Sequence, residues 1–481
     1  MTVTQNLPSL LIYAPVPLFF CAGEYYVERQ AVNGLRLWAQ HFHPVTVMMP
    51  LDAAPRNTPP PQGWVPVRTH LEDLAGVRIE PVPMAYRPDQ FVRALPRTLR
   101  QIRALIDKAD YLSFAIGGLF GDWGAVSCLA AHQMQRPFAV WTDRVESEVM
   151  RQQLEQGSNR AQAGDDNGID HGIWRSQLRA RLYHRPMARL EQMVIRRAHL
   201  GLFHGAETFE TYRGFCRNPQ LVHDIHISSR DHIDESSLAA KAASVAKGPL
   251  RLVYAGRAEA MKGPIDWTTV LERLKVMGVD FEATWLGAGA ALPQMRARIA
   301  RAGLADRVHF AGFVEDQSEV LKQLRAAHLF LFCHKTPESP RCLIEALTCG
   351  TPILGYGGAY ARDLIANHGG GRLVRRGDTD ALAQQVACLD ADRTRLAAMI
   401  RKAHADGAPF TDVSVFAHRS DILKQHLPGP DRGAAKQHPE NKGRHHTSPQ
   451  RRGGGVGAAR LDSPALNGWP LSSSSGNGGA V

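Results

Sequence analysis

Two glutamates, Glu338 and Glu345, flank what reads as a helix start in the run Thr336-Pro337-Glu338-Ser339-Pro340-Arg341-Cys342-Leu343-Ile344-Glu345-Ala346-Leu347-Thr348-Cys349-Gly350-Thr351-Pro352. Ser339 suits an N-cap and Pro340 the first helical position, while Gly350 suits the C-cap and Pro352 forbids continuation. The apolar stretch His328–Cys333 before this run predicts strand, loop, helix, strand. Glu338 is then expected in the loop at the carboxyl end of a strand, where ligands bind in open α/β sheets, and Glu345 about two turns into the helix. The free N–H groups and dipole of such a helix start attract a phosphate. A carboxylate can accept hydrogen bonds from sugar hydroxyls. Arg257 and Lys262 lie in a second segment, Val253-Tyr254-Ala255-Gly256-Arg257-Ala258-Glu259-Ala260-Met261-Lys262-Gly263, which ends a strand and opens a helix. Fixed cations at such a place suit a reaction in which a diphosphate leaves and negative charge accumulates.

The run Glu345-Ala346-Leu347-x-Cys349-Gly350-Thr351-Pro352 resembles the retaining, nucleotide-sugar-dependent "group 1" glycosyltransferases of the GT-B fold. That family has two glutamates followed by an Ala-x-x-x-Gly-x-Pro stretch, and a Gly-Arg, four residues, Lys-Gly segment upstream. The resemblance implies that Glu345 holds the ribose hydroxyls of the donor, Glu338 contacts the donor sugar, and Arg257 and Lys262 neutralise its diphosphate. Six residues separate Glu338 from Glu345 where the family has seven, and Ser339-Pro340-Arg341 stands where it has a Gly-Phe-Gly-like turn. Pro340 has no N–H to give, so Arg341 is expected to donate to the diphosphate instead. Gly287, in Leu286-Gly287-Ala288-Gly289, resembles the family's glycine turn, where backbone approaches the nucleotide; Leu292 in the sixth position excludes a G-x-G-x-x-G fingerprint. Val308–Val314 resembles the family's strand and loop beside the base. In the first half, Gly23 of Cys21-Ala22-Gly23-Glu24 is expected in the first strand-to-helix loop, near donor phosphate or acceptor. Asp143, after Phe138–Trp141, is the candidate for the catalytic place that a histidine takes in many relatives, with His204 a second candidate.

These residues need a scaffold, and strand-like and helix-like segments alternate almost throughout, which signals α/β architecture with mostly parallel sheets. With the resemblance, the expected fold is two Rossmann-like domains facing across a cleft. Residues 1–235 form an N-terminal, acceptor-side domain and 248–405 a C-terminal, nucleotide-sugar-binding domain. Residues 406–427 form a helix returning to the N-terminal domain, and 428–481 a disordered basic tail. The linker is placed at Asp234–Lys247, and a long polar loop, a lid candidate, at Gln152–Asp170.

The 44% hydrophobic and 21% charged residues among 481 belong to a globular chain long enough for at least two cores. The net charge of +11 makes anionic partners plausible, but seven Lys/Arg against three Asp/Glu lie in the expected tail. Seven cysteines without a C-x-x-C pair argue against a disulfide framework or a cysteine zinc site. The N-terminal segment lacks a basic stretch and carries Pro15 and Pro17 in its apolar part, unlike a signal peptide, and no run is long enough to span a bilayer. The cytoplasm, or the inner membrane face, is the expected location. Arg93, Arg97, Arg100, Arg103 and Lys108, with Arg179–Arg197, form basic faces beside apolar ones, a pattern that suits an anionic membrane. No aromatic-interleaved basic motif points to nucleic acid. The leading expectation is transfer of a sugar, with retention, from a nucleotide-diphosphate sugar to a glycan or polyprenyl/lipid-linked acceptor in polysaccharide or glycolipid synthesis, with no metal or cofactor. The alternative is a catalytically inactive scaffold that binds nucleotide-sugar or glycan.

Overall fold

The computed structural model describes residues 7–52, 58–60, 63–70, 72–151 and 171–429, with backbone alone at 171–182. The loop expected at 152–170 and the tail from residue 430 lie outside the described residues. The strands in chain order are β1 (Leu10–Tyr13), β2 (Phe19–Cys21), β3 (Glu24–Glu28), β4 (Val45–Leu51), β5 (Trp64–Pro66), β6 (Val77–Pro83), β7 (Tyr111–Ala115), β8 (Ala139–Thr142), β9 (Leu200–His204) and β10 (Pro219–Val222). Then follow β11 (Leu250–Ala255), β12 (Phe281–Leu286), β13 (Val308–Gly312), β14 (Leu329–Phe332), β15 (Ile353–Tyr356) and β16 (Gly371–Val374).

They form two parallel sheets. The first has seven strands in the order β10-β9-β8-β7-β1-β4-β6, the second six in the order β13-β12-β11-β14-β15-β16. Helices cover both faces, so central strands such as Leu10–Tyr13 and Leu329–Phe332 are buried at every position and read as continuous apolar runs. In the first sheet the chain winds one way from β1 and the other way from β7. In the second it does the same from β11 and from β14. Two crossovers leaving in opposite directions open a crevice between adjacent strands, at their carboxyl ends. The second sheet's crevice lies between the loops after β11 and β14, the segments that carry Lys262 and Glu338.

Several elements differ from expectation. The pattern of Val27–Gln40 predicts the first helix, but the helix starts at Arg29, because Glu24–Glu28 pairs in a small antiparallel sheet, β2-β3-β5. Gly23 is therefore not in a strand-to-helix loop: it sits exposed at the β2–β3 hairpin turn with φ +83°. The expected linker holds a helix, Glu235–Ser244, whose N-cap Asp234 accepts from the Ser237 N–H at 2.9 Å. Its Lys241 is buried and donates to the carbonyls of Leu324 and Cys349 at 3.2 and 2.9 Å, satisfying the C-termini of two helices, Gln317–Ala326 and Arg341–Thr348. The last described helix, Asp412–His426, packs against Arg29–Ala39 of the first half, with Trp38 and Phe416 edge-to-face at 5.5 Å. Among the described residues, no helix is long and apolar enough to cross a membrane.

Candidate active site

The loop after β11 turns tightly before its helix. Ala260–Lys262 forms a 3-10 turn, Gly263 adopts φ +65°, and Pro264 opens the helix Pro264–Val276. A Cβ on Gly263 would lie 2.1 Å from the Cys333 carbonyl oxygen, so only glycine lets this loop cross the end of β14. The Lys335 N–H donates to the Met261 carbonyl at 2.8 Å and locks the two loops together. Lys262 is thereby aimed along the crevice, and its ammonium donates to Glu338 Oε1 at 2.7 Å, with both side chains nearly buried. Arg257, five residues earlier, is exposed and forms no ion pair with a described residue. Behind it, Gly287 at φ +143° packs so closely that a Cβ would meet the Gly256 carbonyl oxygen at 2.0 Å. Gly287 thus shapes the backbone under Arg257.

The helix after β14 runs Arg341–Thr348, one residue later than expected. Pro340 is its N-cap position with no side-chain cap, and Ser339 does not cap it. The Ser339 hydroxyl instead donates to the His204 carbonyl at the end of β9, tying the two halves together. Glu345 is just over one turn from the helix start, not two, on the same face as Arg341. Burial raises the Glu345 carboxyl and Arg341 opposes the rise. The segment after β8 meets the same region: Arg144 forms an antiparallel bridge with Glu338, and its guanidinium pairs with Glu146. Asp143, exposed, adds negative charge facing Arg144 and Arg341. Lys262, Glu338, Arg341, Glu345 and Asp143 therefore gather at the second sheet's switch point, with Arg257 at its rim. Gly23 has no described contact with them.

Three further groups belong to this region. His334, the second residue past β14, is buried, takes the Tyr254 hydroxyl at 2.9 Å and lies 3.9 Å from Glu338. Burial, then Lys262, pushes its imidazole well below its usual range, so it stands neutral. Position after a buried strand was its one sequence signal. His204 stacks on Trp141 with ring centroids 5.2 Å apart, and neither ring nitrogen has a hydrogen-bond partner among the described residues. Burial, then Arg419, pushes it down to about 3. Asp224, between β10 and the second half, lies 3.1 Å from Arg419 and 3.9 Å from Arg341. Burial favours its neutral form, but His226, Arg341 and Arg419 outweigh that and hold it well below the usual carboxylate range.

Comparisons with known proteins agree with this architecture. Residues 238–406 match the family model described as glycosyl transferases group 1. The 2-deoxystreptamine N-acetyl-D-glucosaminyltransferase of Streptomyces fradiae is 28% identical over 229 residues, 45% of this chain and 53% of that protein. The amylovoran biosynthesis glycosyltransferase AmsK of Erwinia amylovora is 31% identical over 141 residues, 28% of this chain and 34% of that protein. The chain spans about half, or less, of the length of these curated relatives. The crystal structure of Anabaena Alr3699/HepE in complex with UDP superposes with a TM-score of 0.59 at 14% identity, covering 87% of this chain and 100% of that one. The chain thus has the GT-B fold, two parallel α/β sheets with their helices, and its residues 238–406 are similar to the group 1 glycosyl transferases.

Proposed function

We propose that this protein is a retaining glycosyltransferase that moves a sugar from a nucleotide-diphosphate sugar to a glycan or lipid-linked acceptor in polysaccharide or glycolipid synthesis. The observation that carries the reading is the convergence of Lys262, Glu338, Arg341 and Glu345 from separate segments at the carboxyl-end crevice between β11 and β14. Support also comes from the similarity to the group 1 family and from UDP in a structural neighbour.

In this reading the diphosphate lies at the start of the Arg341–Thr348 helix, with Lys262, Arg257 and Arg341 as cations and no metal required. Lys262 now pairs with Glu338; an arriving diphosphate shares Lys262 and frees Glu338 to accept hydrogen bonds from the donor sugar. Glu345 accepts the ribose hydroxyls. The acceptor enters from the first sheet's side, where Asp143 stands, and loses its proton to the departing diphosphate. Transfer keeps the anomeric configuration. Arg93, Arg97, Arg100 and Arg103 are exposed along the helix Pro88–Lys108, beside exposed Val92, and that face would rest on the anionic inner surface of a membrane. The test is incubation with UDP-, GDP-, ADP- and dTDP-sugars and a lipid-extract acceptor, with the product's anomeric proton read by NMR. An inverted anomer would remove the retaining mechanism, and absence of any product the transferase reading.

A further inference from the structure

Arg341 and Glu345 stand four residues apart on one helix, the spacing at which an arginine and a glutamate commonly pair. Here they form no ion pair. Among the described residues, the carboxylate within ion-pair distance of the Arg341 guanidinium is Asp224, at 3.9 Å, from the connection after β10. Asp224 is itself held from the other side. Arg419, on the helix Asp412–His426, donates to Asp224 Oδ1 at 3.1 Å from a buried position, with its guanidinium 5.0 Å from the Trp38 ring, 4.8 Å from Phe416 and 6.0 Å from Trp141. Such an aromatic box fixes a guanidinium that has no other carboxylate within ion-pair distance among the described residues. His226 lies 3.8 Å from the second oxygen of Asp224. Asp224 is thus anchored by groups of the first half and the C-terminal helix, and it draws Arg341 away from its own helix neighbour.

We propose that Asp224 is a positioning residue of the nucleotide site: by holding Arg341 across the crevice, it keeps the Glu345 carboxylate free to accept ribose hydroxyls. Resting on the donor-site reading above, this gives the C-terminal helix a role at the nucleotide through the chain Arg419, Asp224, Arg341. Without the Asp224 charge, Arg341 turns to Glu345, the next carboxylate on its own helix face, and occupies the acceptor oxygens that the ribose needs.

The readout is ribose discrimination. Binding of UDP, GDP and ADP is measured by calorimetry, and the tightest is compared with its 2′,3′-dideoxy form, for the wild type, Asp224→Asn, Arg341→Gln and the double variant, with melting curves as a folding control. The wild type should prefer the ribonucleotide at least tenfold. Asp224→Asn should cut that ratio severalfold while leaving dideoxynucleotide affinity nearly unchanged, and adding Arg341→Gln should restore the ratio, because nothing then competes for Glu345. A merely structural aspartate weakens both ligands together, and a purely electrostatic one tightens both; either result, or no rescue in the double variant, overturns the proposal. Wild-type protein that binds neither these three nucleotides nor dTDP would overturn the donor-site reading itself, and this inference with it.

Discussion

Replacing Lys262 with Met removes a cation that does two jobs in this account. In the free protein it neutralises Glu338 at 2.7 Å, where the two side chains keep only 12% and 11% of their accessible surface. Removing one member of a nearly buried pair leaves the other charge without compensation, at a cost of about 3 kcal/mol. For a lobe of this size that lowers the melting temperature by roughly 6–12 °C. Removing both charges with similar volume, as in Lys262→Met with Glu338→Gln, leaves no stranded carboxylate and should recover most of that loss. Donor turnover should not recover, since the leaving diphosphate loses a fixed cation, a loss on the order of 10²–10³-fold in kcat. Thermal unfolding followed by circular dichroism, with donor consumption measured on the same preparations, separates the two effects. A Lys262→Met protein that melts with the wild type, or a double variant that melts no higher than the single, would refute the reasoning about the pair.

Other outcomes follow from single residues. Glu345→Ala should weaken nucleoside diphosphate binding by about 3 kcal/mol, on the order of 100-fold, through loss of charge-assisted hydrogen bonds to ribose; unchanged calorimetric affinity would remove that role. Gly263→Ala should destabilise by at least about 2 kcal/mol, because φ +65° and a Cβ 2.1 Å from the Cys333 carbonyl oxygen both oppose it, checked by urea unfolding. Burial, outweighing Arg144, pushes the Glu146 carboxyl from its ordinary value of 4.5 up to about 7. The folded protein then holds a proton that the unfolded chain has released, so this stability is present below about pH 4.5 and lost as pH rises through about 7. Glu146→Gln should therefore gain about 2–3 kcal/mol on the wild type between pH 5 and pH 8, measured by chemical denaturation. Parallel curves would show that Glu146 does not titrate there.

Much of the second sheet was legible because its strands are buried runs between punctuated helices, and because its chemistry lies in short contiguous segments. Lys262 and Glu338 are 76 residues apart, yet each follows a strand that the pattern identifies, and the switch point brings them together. What escaped depends on long-range pairing. Glu24–Glu28 runs into the helix-compatible stretch Val27–Gln40, and only pairing with Phe19–Cys21 and Trp64–Pro66 makes it a strand. Asp234–Lys247, rich in Ser, Ala and Lys, reads as a linker, and tertiary burial of Lys241 against the ends of Gln317–Ala326 and Arg341–Thr348 makes it an ordered element. Asp224 and Arg419 meet across 195 residues with no local motif. Ser339 has N-cap chemistry, but its hydroxyl is captured by the His204 carbonyl of the other half, a competitor that local spacing does not reveal.

The most direct test of the central claim is acceptor-dependent release of nucleoside diphosphate from a panel of nucleotide sugars by the purified chain. The account predicts that at least one donor is consumed, and that consumption falls by two or more orders of magnitude in Lys262→Met and in Glu345→Ala. Consumption of no donor, or consumption that both variants leave unchanged, would contradict it.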